Sequence, residues 1–177
     1  MLDLVILRHG RAEPARGGMT DEERPLSAAG EGSFQLAARG MVRLLAPPVE
    51  IVASPYLRTR QTARILREAL AEVEKDSRLA ESDARLVPGA PADEAVHLVR
   101  ERDGGEGAGT LILVSHMPLA GRLAGRLLGV RPLDLATGES VWLVAPGDQP
   151  WRSAPAVLDG TVYATYREPP AVLALPP

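Results

Sequence analysis

Two short segments of the chain are apolar at almost every position, and they limit the possible folds more than any other feature. Residues 2–7 and 110–115 are each one strand long and are rich in Val, Ile and Leu. Strands of this kind are covered on both faces, as in the parallel sheets of α/β proteins. Helical patterns alternate with the strands. The sequence therefore predicts an α/β fold with three layers, in which a mainly parallel sheet carries helices on both faces.

Start and stop signals place the other elements around these strands. Ser27 resembles a helix N-cap at the end of a polar surface loop over residues 11–25. Ser54-Pro55 predicts the start of another helix, with Ser54 as its cap and Pro55 at the first helical position. Further helices are predicted over residues 92–102 and 118–129, a short strand over residues 50–53, and edge strands over residues 141–145 and 161–165.

The length and composition are typical of one folded domain. The chain has 177 residues, of which 45% are hydrophobic, so it can bury a core without disulfides or metals. The last ten residues are rich in proline. We predict a single domain over residues 1–167 and a proline-rich C-terminal tail over residues 168–177.

Charge and cysteine content exclude several classes of function. The 20 Lys and Arg residues do not outnumber the 23 Asp and Glu residues, which disfavours nucleic acid and anionic membranes as partners. Cysteine is absent, which excludes thiolate metal sites and cysteine nucleophiles. Neither a secretory signal pattern nor a membrane-spanning run is evident, so we expect a cytoplasmic location.

Basic and imidazole side chains follow three of the predicted strands. These are Arg8 and His9 after the first strand, Arg58 after the second, and His116 after the third. The carboxyl ends of parallel strands meet at one edge of a sheet, where binding sites form beside helix N-termini. Two imidazoles and two guanidiniums in one pocket suit a dianionic phosphoryl group. No carboxylate cage is evident, so no metal is predicted.

Each of these residues has an ordinary structural interpretation when it is considered alone, and only their joint placement favours a site. Other features are interpreted as structural. His97 is assigned to a structural or surface position, and the glycines at positions 121, 125 and 129 to close packing of a helix on the sheet. The arginines at positions 60, 64 and 67 form a solvated helix face or attract an acidic partner protein.

Three motifs resemble, in order and spacing, those of the histidine phosphatase (phosphoglycerate mutase-like) superfamily. They are LRHG at residues 7–10, SPYLRTRQT at residues 54–62 and VSHMP at residues 114–118. Within that superfamily, RPLSAAG at residues 24–30 and SHMPL at residues 115–119 are most similar to the SixA branch of phosphohistidine phosphatases. The resemblance covers about residues 2–145.

The resemblance implies the phosphoglycerate mutase-like fold and a covalent, metal-independent phosphatase mechanism without a cofactor. His9 would attack phosphorus, and water would then hydrolyse the phosphohistidine formed on the enzyme. Arg8, Arg58 and His116 would bind the phosphoryl oxygens. His9 must be neutral to attack, whereas His116 is more useful when it is protonated.

The general acid is the least determined part of the predicted site. Family members that cleave esters supply a carboxyl group from the segment between the second and third motifs, where Glu81 is the candidate and Asp83 the second choice. A charged connecting loop also needs no catalytic purpose. A phosphohistidine substrate would relax the need for an acid, because its leaving imidazole is readily protonated.

Several functions stay open at this stage. The resemblance favours dephosphorylation of a protein that carries phosphohistidine. The alternatives are a broad-specificity phosphatase of small phosphate monoesters and a phosphate-binding regulatory module without turnover. A mutase is disfavoured, because the chain is too short for the insertions that similar mutases carry.

Overall fold

The fold is built on one seven-stranded sheet. The computed structural model describes residues 2–103, 109–143, 162–165 and 171–173. The sheet has the strand order β3-β2-β4-β1-β5-β6-β7. Strands β1 to β4 are parallel to one another, and β5, β6 and β7 are added in antiparallel orientation. In chain order, the strands are β1 (Leu2–Arg8), β2 (Val49–Ala53), β3 (Ser77–Leu79), β4 (Gly109–Ser115), β5 (Ser140–Leu143), β6 (Val162–Thr165) and β7 (Ala171–Leu173).

Helices cover both faces of the sheet. The helices are α1 (Ala28–Met41), α2 (Leu57–Glu72), α3 (Ala92–Asp103) and α4 (Leu119–Leu128), with a short 3₁₀ helix at Ala84–Leu86. Leu4 and Ile6 of β1 belong to the core that includes α3 and α4, whereas Val5 and Leu7 belong to the core that includes α1 and α2. This division follows from the alternation of side chains along a strand. The predicted three-layer α/β fold is confirmed.

The two mainly apolar segments lie side by side at the centre of the sheet. β1 pairs with β4 in parallel from Leu2 opposite Gly109 to Arg8 opposite Ser115. Every residue of β4 is buried. Because the two strands end at the same level, the residues that follow them, His9 and His116, emerge at the same edge.

The start of α2 differs from the prediction. The helix begins at Leu57 rather than Pro55, and Tyr56 is its N-cap residue without a side-chain cap bond. The Ser54 hydroxyl lies 2.9 Å from Nε2 of His116. Its principal partner is therefore an imidazole, and the prediction that Ser54 caps α2 is wrong. At α1, by contrast, the predicted cap is confirmed, because Ser27 accepts a hydrogen bond of 3.0 Å from the Gly30 amide.

The prediction that residues 141–145 and 161–165 form edge strands is wrong for their described parts. β5 lies between β1 and β6, and β6 lies between β5 and β7. The outer position is taken by Ala171–Leu173, three residues of the predicted tail. Residues 144, 145 and 161 are outside the described residues, and the domain boundary at residue 167 stays a prediction.

Two glycines of α4 allow a close approach of the chain that follows the helix. A Cβ atom on Gly121 would lie 1.9 Å from the Leu133 carbonyl oxygen, and one on Gly125 would lie 2.8 Å from that of Arg131. The Leu133 amide donates to the Gly121 carbonyl at 3.1 Å. The two glycines therefore allow close packing against residues 131–133, and not the predicted close packing of the helix on the sheet. Gly129 ends the helix in a left-handed conformation.

The helices in the described part of the chain are too short or too polar to cross a lipid bilayer.

Candidate active site

The ends of three neighbouring strands are tied together where the predicted site residues emerge. The His9 amide donates to the Ser115 carbonyl at 3.0 Å, and the Ser54 amide donates to the Val114 carbonyl at 3.0 Å. These bonds continue the sheet one residue beyond β1 and β2. The backbone of the site is therefore fixed by the most buried part of the fold.

His9 has one ring nitrogen available as a nucleophile. Its Nδ1 lies 2.7 Å from the Gly10 carbonyl oxygen, and its Nε2 lies 3.2 Å from Nε of Arg58. A guanidinium can only donate, so Nε2 is the acceptor in that contact. The neutral ring then carries its proton on Nδ1, which donates to Gly10. This tautomer leaves the lone pair on Nε2 directed at Arg58.

The surroundings of His9 keep it neutral. Burial lowers the pKa of His9 to about 4, and the positive charges of Arg58, Arg8 and Arg24 act in the same direction against the hydrogen bond to Gly10. A neutral imidazole near pH 7 is the form that can attack an electrophile.

Arg58 is buried in contact with the His9 ring, and all three of its guanidinium nitrogens have partners. Its side chain is only 5% exposed. Nε donates to His9, Nη1 donates to the backbone carbonyl of Asp21, and Nη2 donates to Asp21 Oδ2 at 2.8 Å. The charged end of Arg58 is thus held on one side by an imidazole and on the other by an acidic residue.

His116 packs against His9 at nearly the same depth. The two ring centroids are 5.0 Å apart in an edge-to-face arrangement. Burial lowers the pKa of His116 to about 3, and repulsion by a protonated His9, by Arg58 and by Arg8 acts in the same direction against Asp21. The expectation of a protonated His116 is therefore not met with the charges present in the structure. The negative charge of a phosphoryl group beside it would raise this pKa.

Arg8 takes part in the site through its charge. Its Nη1 donates to the Leu135 carbonyl at 2.5 Å, and burial lowers its pKa against the effects of Asp134 and Glu139. Its positive charge lowers the pKa of both His9 and His116. The Nε atom of Arg8 is buried without a hydrogen-bond partner in the described part of the chain. The structure thus places Arg8 near the imidazoles, while a backbone carbonyl holds its guanidinium.

Neighbouring residues hold this arrangement in place. Tyr56 contacts His116 edge-to-face with ring centroids 4.8 Å apart, and Arg58 Cζ lies 4.9 Å from the centre of the Tyr56 ring. Thr62 accepts a hydrogen bond of 3.1 Å from the Gly10 amide and donates to the Arg58 carbonyl at 2.7 Å. These contacts connect the first two turns of α2 to Gly10, the residue that follows His9.

Sequence reasoning missed the contacts of four residues around this site. Ser54, Tyr56 and Thr62 lie inside the motif at residues 54–62, which could have directed attention to them. Asp21 lies in a segment that was predicted only as a surface loop. Its partner Arg58 is 37 residues away, so no local pattern reveals the contact.

The two acid candidates have different surroundings. The Ala80 and Asp83 amides donate to carbonyls of β2 at 2.9 Å, so residues 80–83 run along the end of that strand towards the site. Glu81 is exposed. The Asp83 carboxylate accepts from both the amide and the guanidinium of Arg85, and these hydrogen bonds hold its pKa below the usual value. Asp83 is therefore an ionised partner of Arg85 and is unsuited to donate a proton.

A pocket of about 210 Å³ adjoins the site on the side of Gly10 and Arg11. Its other walls come from α1 and from residues 136–139, and neither His9, Arg58 nor His116 lines it. His97 is exposed on α3, consistent with its structural or surface assignment. Within the described ranges, no three His, Asp or Glu side chains are grouped to hold a metal ion.

Comparison with known proteins identifies the family. The family model of the histidine phosphatase superfamily (branch 1) matches residues 4–104. A curated relative, an uncharacterized protein of Picosynechococcus sp., is 38% identical over 68 residues, which are 38% of this chain and 41% of the relative. The chain thus spans about two fifths of the length of that relative.

Solved structures share the fold. The protein histidine phosphatase SixA in complex with tungstate superposes with a TM-score of 0.69 at 24% identity, over 81% of this chain and 88% of SixA. The mycobacterial glucosyl-3-phosphoglycerate phosphatase gives a TM-score of 0.62 at 22% identity, over 83% of this chain and 92% of the other. Because the family model spans more than half of the chain and includes the motifs around His9 and Arg58, the protein belongs to branch 1 of the histidine phosphatase superfamily.

Proposed function

We propose that the protein is a metal-independent phosphatase that forms a phosphohistidine on His9 and acts on phosphohistidine in proteins, as the SixA-like motifs suggest. The observation that carries this proposal is the state of His9. Its ring is buried and neutral, its proton is on Nδ1, and the lone pair of Nε2 faces the Arg58 guanidinium. Nucleophilic attack on phosphorus requires a neutral imidazole with a lone pair on the attacking nitrogen, and Arg58 releases this lone pair when a phosphoryl group binds.

In the first half-reaction, Nε2 of His9 forms a bond to phosphorus while the bond between phosphorus and the leaving group breaks. For a phosphohistidine substrate the electron pair stays on the leaving ring nitrogen, and the other nitrogen of that ring takes a proton from solvent. In the second half-reaction, water attacks phosphorus and the electron pair of the P–N bond returns to His9. Inorganic phosphate then leaves with the oxygen of water, and one proton of that water passes to solvent.

The charges around His9 suit the transition state of this reaction. Phosphoryl transfer asks a protein mainly for positioning and for positive charge around the phosphoryl oxygens. Arg58 and Arg8 supply permanent charge, and His116 gains a proton when the negative group binds. Two buried nitrogens, Nε of Arg8 and Nδ1 of His116, have no hydrogen-bond partner in the described residues. A bound anion can satisfy both of them.

The weak acid candidates favour a phosphoramidate over an ester. An alkyl ester must leave as an alkoxide unless an acid protonates it, whereas a leaving imidazole accepts its proton from solvent. The Asp83 carboxylate forms an ion pair with Arg85, and Glu81 is exposed. The site thus has its nucleophile and cations in place, while its acid is the least developed part.

A stripe of exposed arginines favours a protein as the substrate. Arg60, Arg64 and Arg67 lie on the solvent side of α2, the helix that also carries Arg58. In the described residues their guanidiniums have no hydrogen bond or ion pair. Like charges four residues apart and cations in the first turn both destabilise a helix. An acidic surface on a partner protein would compensate for this cost and bring its phosphohistidine to the site.

The alternative function, hydrolysis of small phosphate monoesters, is favoured by one observation: residues 80–83 run along the end of β2, and the exposed Glu81 lies in this segment. One fold relative is a phosphatase of glucosyl-3-phosphoglycerate, and SixA was solved with tungstate, a tetrahedral oxyanion like phosphate. A phosphate-binding module without turnover is the third possibility.

The cytoplasmic location is proposed on the sequence alone.

The deciding experiment compares turnover of three substrates in the presence of a strong chelator: a protein that carries phosphohistidine, free phosphohistidine, and a panel of small phosphate esters. We expect the highest kcat/KM on the protein and no effect of the chelator. Preference for an ester would support the alternative, and binding without turnover would support the module. Activity that returns only on addition of a divalent ion would contradict the covalent mechanism.

The arginine stripe is tested with a double charge reversal. Arg64→Glu with Arg67→Glu is expected to lower kcat/KM on the phosphorylated protein about tenfold and to leave free phosphohistidine unaffected, because electrostatic complementarity acts on the encounter of the two proteins. The matched control reverses Arg43 and Arg131, which are exposed and lie outside α2. An equal loss on both substrates would contradict a role in docking.

A further inference from the structure

Asp21 holds one edge of the Arg58 guanidinium while the other edge faces the nucleophile. Both terminal nitrogens of Arg58 donate to Asp21, Nη1 to its backbone carbonyl and Nη2 to its carboxylate at 2.8 Å. The Nε atom, on the adjacent edge, donates to His9 at 3.2 Å. The donors of a guanidinium lie in one rigid plane, so fixing the terminal pair also fixes the direction of Nε.

The Asp21 carboxylate is itself fixed although it is half exposed. Its Oδ1 accepts a hydrogen bond of 2.7 Å from Arg24, while Oδ2 binds Arg58. Burial alone would raise the pKa of Asp21, but the hydrogen bonds from Arg58 and Arg24 outweigh it, so the pKa lies below the usual value. Asp21 is therefore ionised at neutral pH and bridges a buried guanidinium to a half-buried one.

The loop around Asp21 has other anchors that do not use this carboxylate. The Leu57 amide donates to the Glu22 carbonyl at 2.9 Å, and the Leu26 amide donates to Gln61 Oε1 at 2.7 Å. Arg58 Nη1 donates to the backbone carbonyl of Asp21, an acceptor that a side-chain substitution does not remove. A structural purpose as loop anchor therefore does not require a carboxylate at position 21.

We infer that Asp21 is a positioning residue for phosphoryl transfer, which clamps the end of Arg58 so that its Nε edge is directed at the His9 nitrogen and at a phosphoryl group bound there. The inference rests on the proposed function, because the phosphoryl group is part of it. When phosphorus approaches, Arg58 Nε exchanges the His9 lone pair for a phosphoryl oxygen without a change in the position of its terminal nitrogens. A misplacement of about 1 Å at such a group can cost about a hundredfold in rate.

The test uses the full-length protein with Asp21→Ala and Asp21→Asn, and with Glu22→Gln as a matched control, since the Glu22 side chain is exposed on the same loop. Asp21→Ala is expected to lower kcat about tenfold to a hundredfold. Asp21→Asn should fall between it and the wild type, because the amide keeps an oxygen acceptor but lacks the charge. In an Arg58→Ala background, Asp21→Ala should cause no further loss.

A second measurement separates this inference from the proposed function. The ¹⁵N resonance of His9 Nε2 reports the hydrogen bond from Arg58 whether or not the protein turns over a substrate. We expect Asp21→Ala to shift this resonance while the urea midpoint of unfolding stays close to that of the control. An unchanged resonance, or a further loss of activity of the same size in the Arg58→Ala background, would overturn the clamp. Absence of turnover in the wild type would overturn only the proposed function.

Discussion

Two groups of charged and polar side chains lie at the carboxyl edge of this sheet, and they are built in opposite ways. His9, Arg58 and His116 are buried and contact one another. Glu81 is exposed, and the ionised Asp83 forms an ion pair with Arg85. Burying ionisable groups costs free energy, and clusters of such groups are concentrated at functional sites. The comparison favours the proposed roles of His9, Arg58 and His116 over a catalytic role for Glu81 or Asp83.

The largest expected effect comes from removing the nucleophile. His9→Ala should abolish turnover on phosphohistidine and on every ester, because no covalent intermediate can form without the imidazole. Steady-state assays with both substrate classes check this. Binding of tungstate by the variant, followed by calorimetry, serves as the control that the pocket is intact. Residual turnover within a hundredfold of the wild type would show that another group attacks phosphorus.

We expect the free energy of unfolding to depend strongly on pH. This dependence distinguishes the buried imidazoles from Asp83. The folded state keeps His9 and His116 neutral to about pH 4 and 3, whereas an unfolded histidine takes up its proton near pH 6.5. Below pH 6.5 the unfolded state therefore binds more protons, and the free energy of unfolding falls as the pH is lowered. Each tenfold difference in proton affinity corresponds to about 1.4 kcal/mol, so the two imidazoles together can account for several kcal/mol.

Urea unfolding at pH 7 and pH 5, in buffers without phosphate, measures this loss. In the His116→Gln variant, the loss of stability between pH 7 and pH 5 should be clearly smaller than in the wild type. Asp83→Asn should leave it unchanged, because the lowered pKa of Asp83 contributes stability that is lost only as the pH falls below the usual aspartate range. A loss of equal size in wild type and His116→Gln would contradict the neutral, buried imidazoles.

The smallest effects are expected from the carboxylates. Glu81→Gln and Asp83→Asn should each leave hydrolysis of phosphohistidine within about tenfold of the wild type, which is under about 1.4 kcal/mol in the barrier. The same two variants assayed on alkyl esters provide the contrast, since a positioned acid contributes about 10²–10⁴-fold. High wild-type turnover of esters together with a large loss in Glu81→Gln would move the protein to the small-ester function.

The sequence predicted the parts of this molecule that depend on local pattern. β1 and β4 were predicted because strands buried on both faces are apolar throughout, and their parallel pairing brings His9 and His116 together. Arg58 was predicted from its place after the second strand, and the family motifs supported that placement.

Contacts between residues that are far apart in the sequence could not be predicted from it. The Ser54 hydroxyl binds His116, 62 residues away, instead of capping α2, and Asp21 binds Arg58 from a loop without periodicity. Likewise, β5 is interior only because β6 and β7 pair outside it. In each case a long-range partner decides the outcome, and a single sequence does not display it.

The central claim, that His9 carries the phosphoryl group, is tested most directly by trapping the intermediate. The enzyme is mixed with a phosphoramidate substrate, quenched within milliseconds in alkali, where phosphohistidine survives, and analysed by peptide mass spectrometry. The account predicts a transient phosphate on the peptide that contains His9, bonded at Nε2 because Nδ1 donates to the Gly10 carbonyl. Phosphate on the peptide that contains His116, or no enzyme-bound phosphate during rapid turnover, would contradict it.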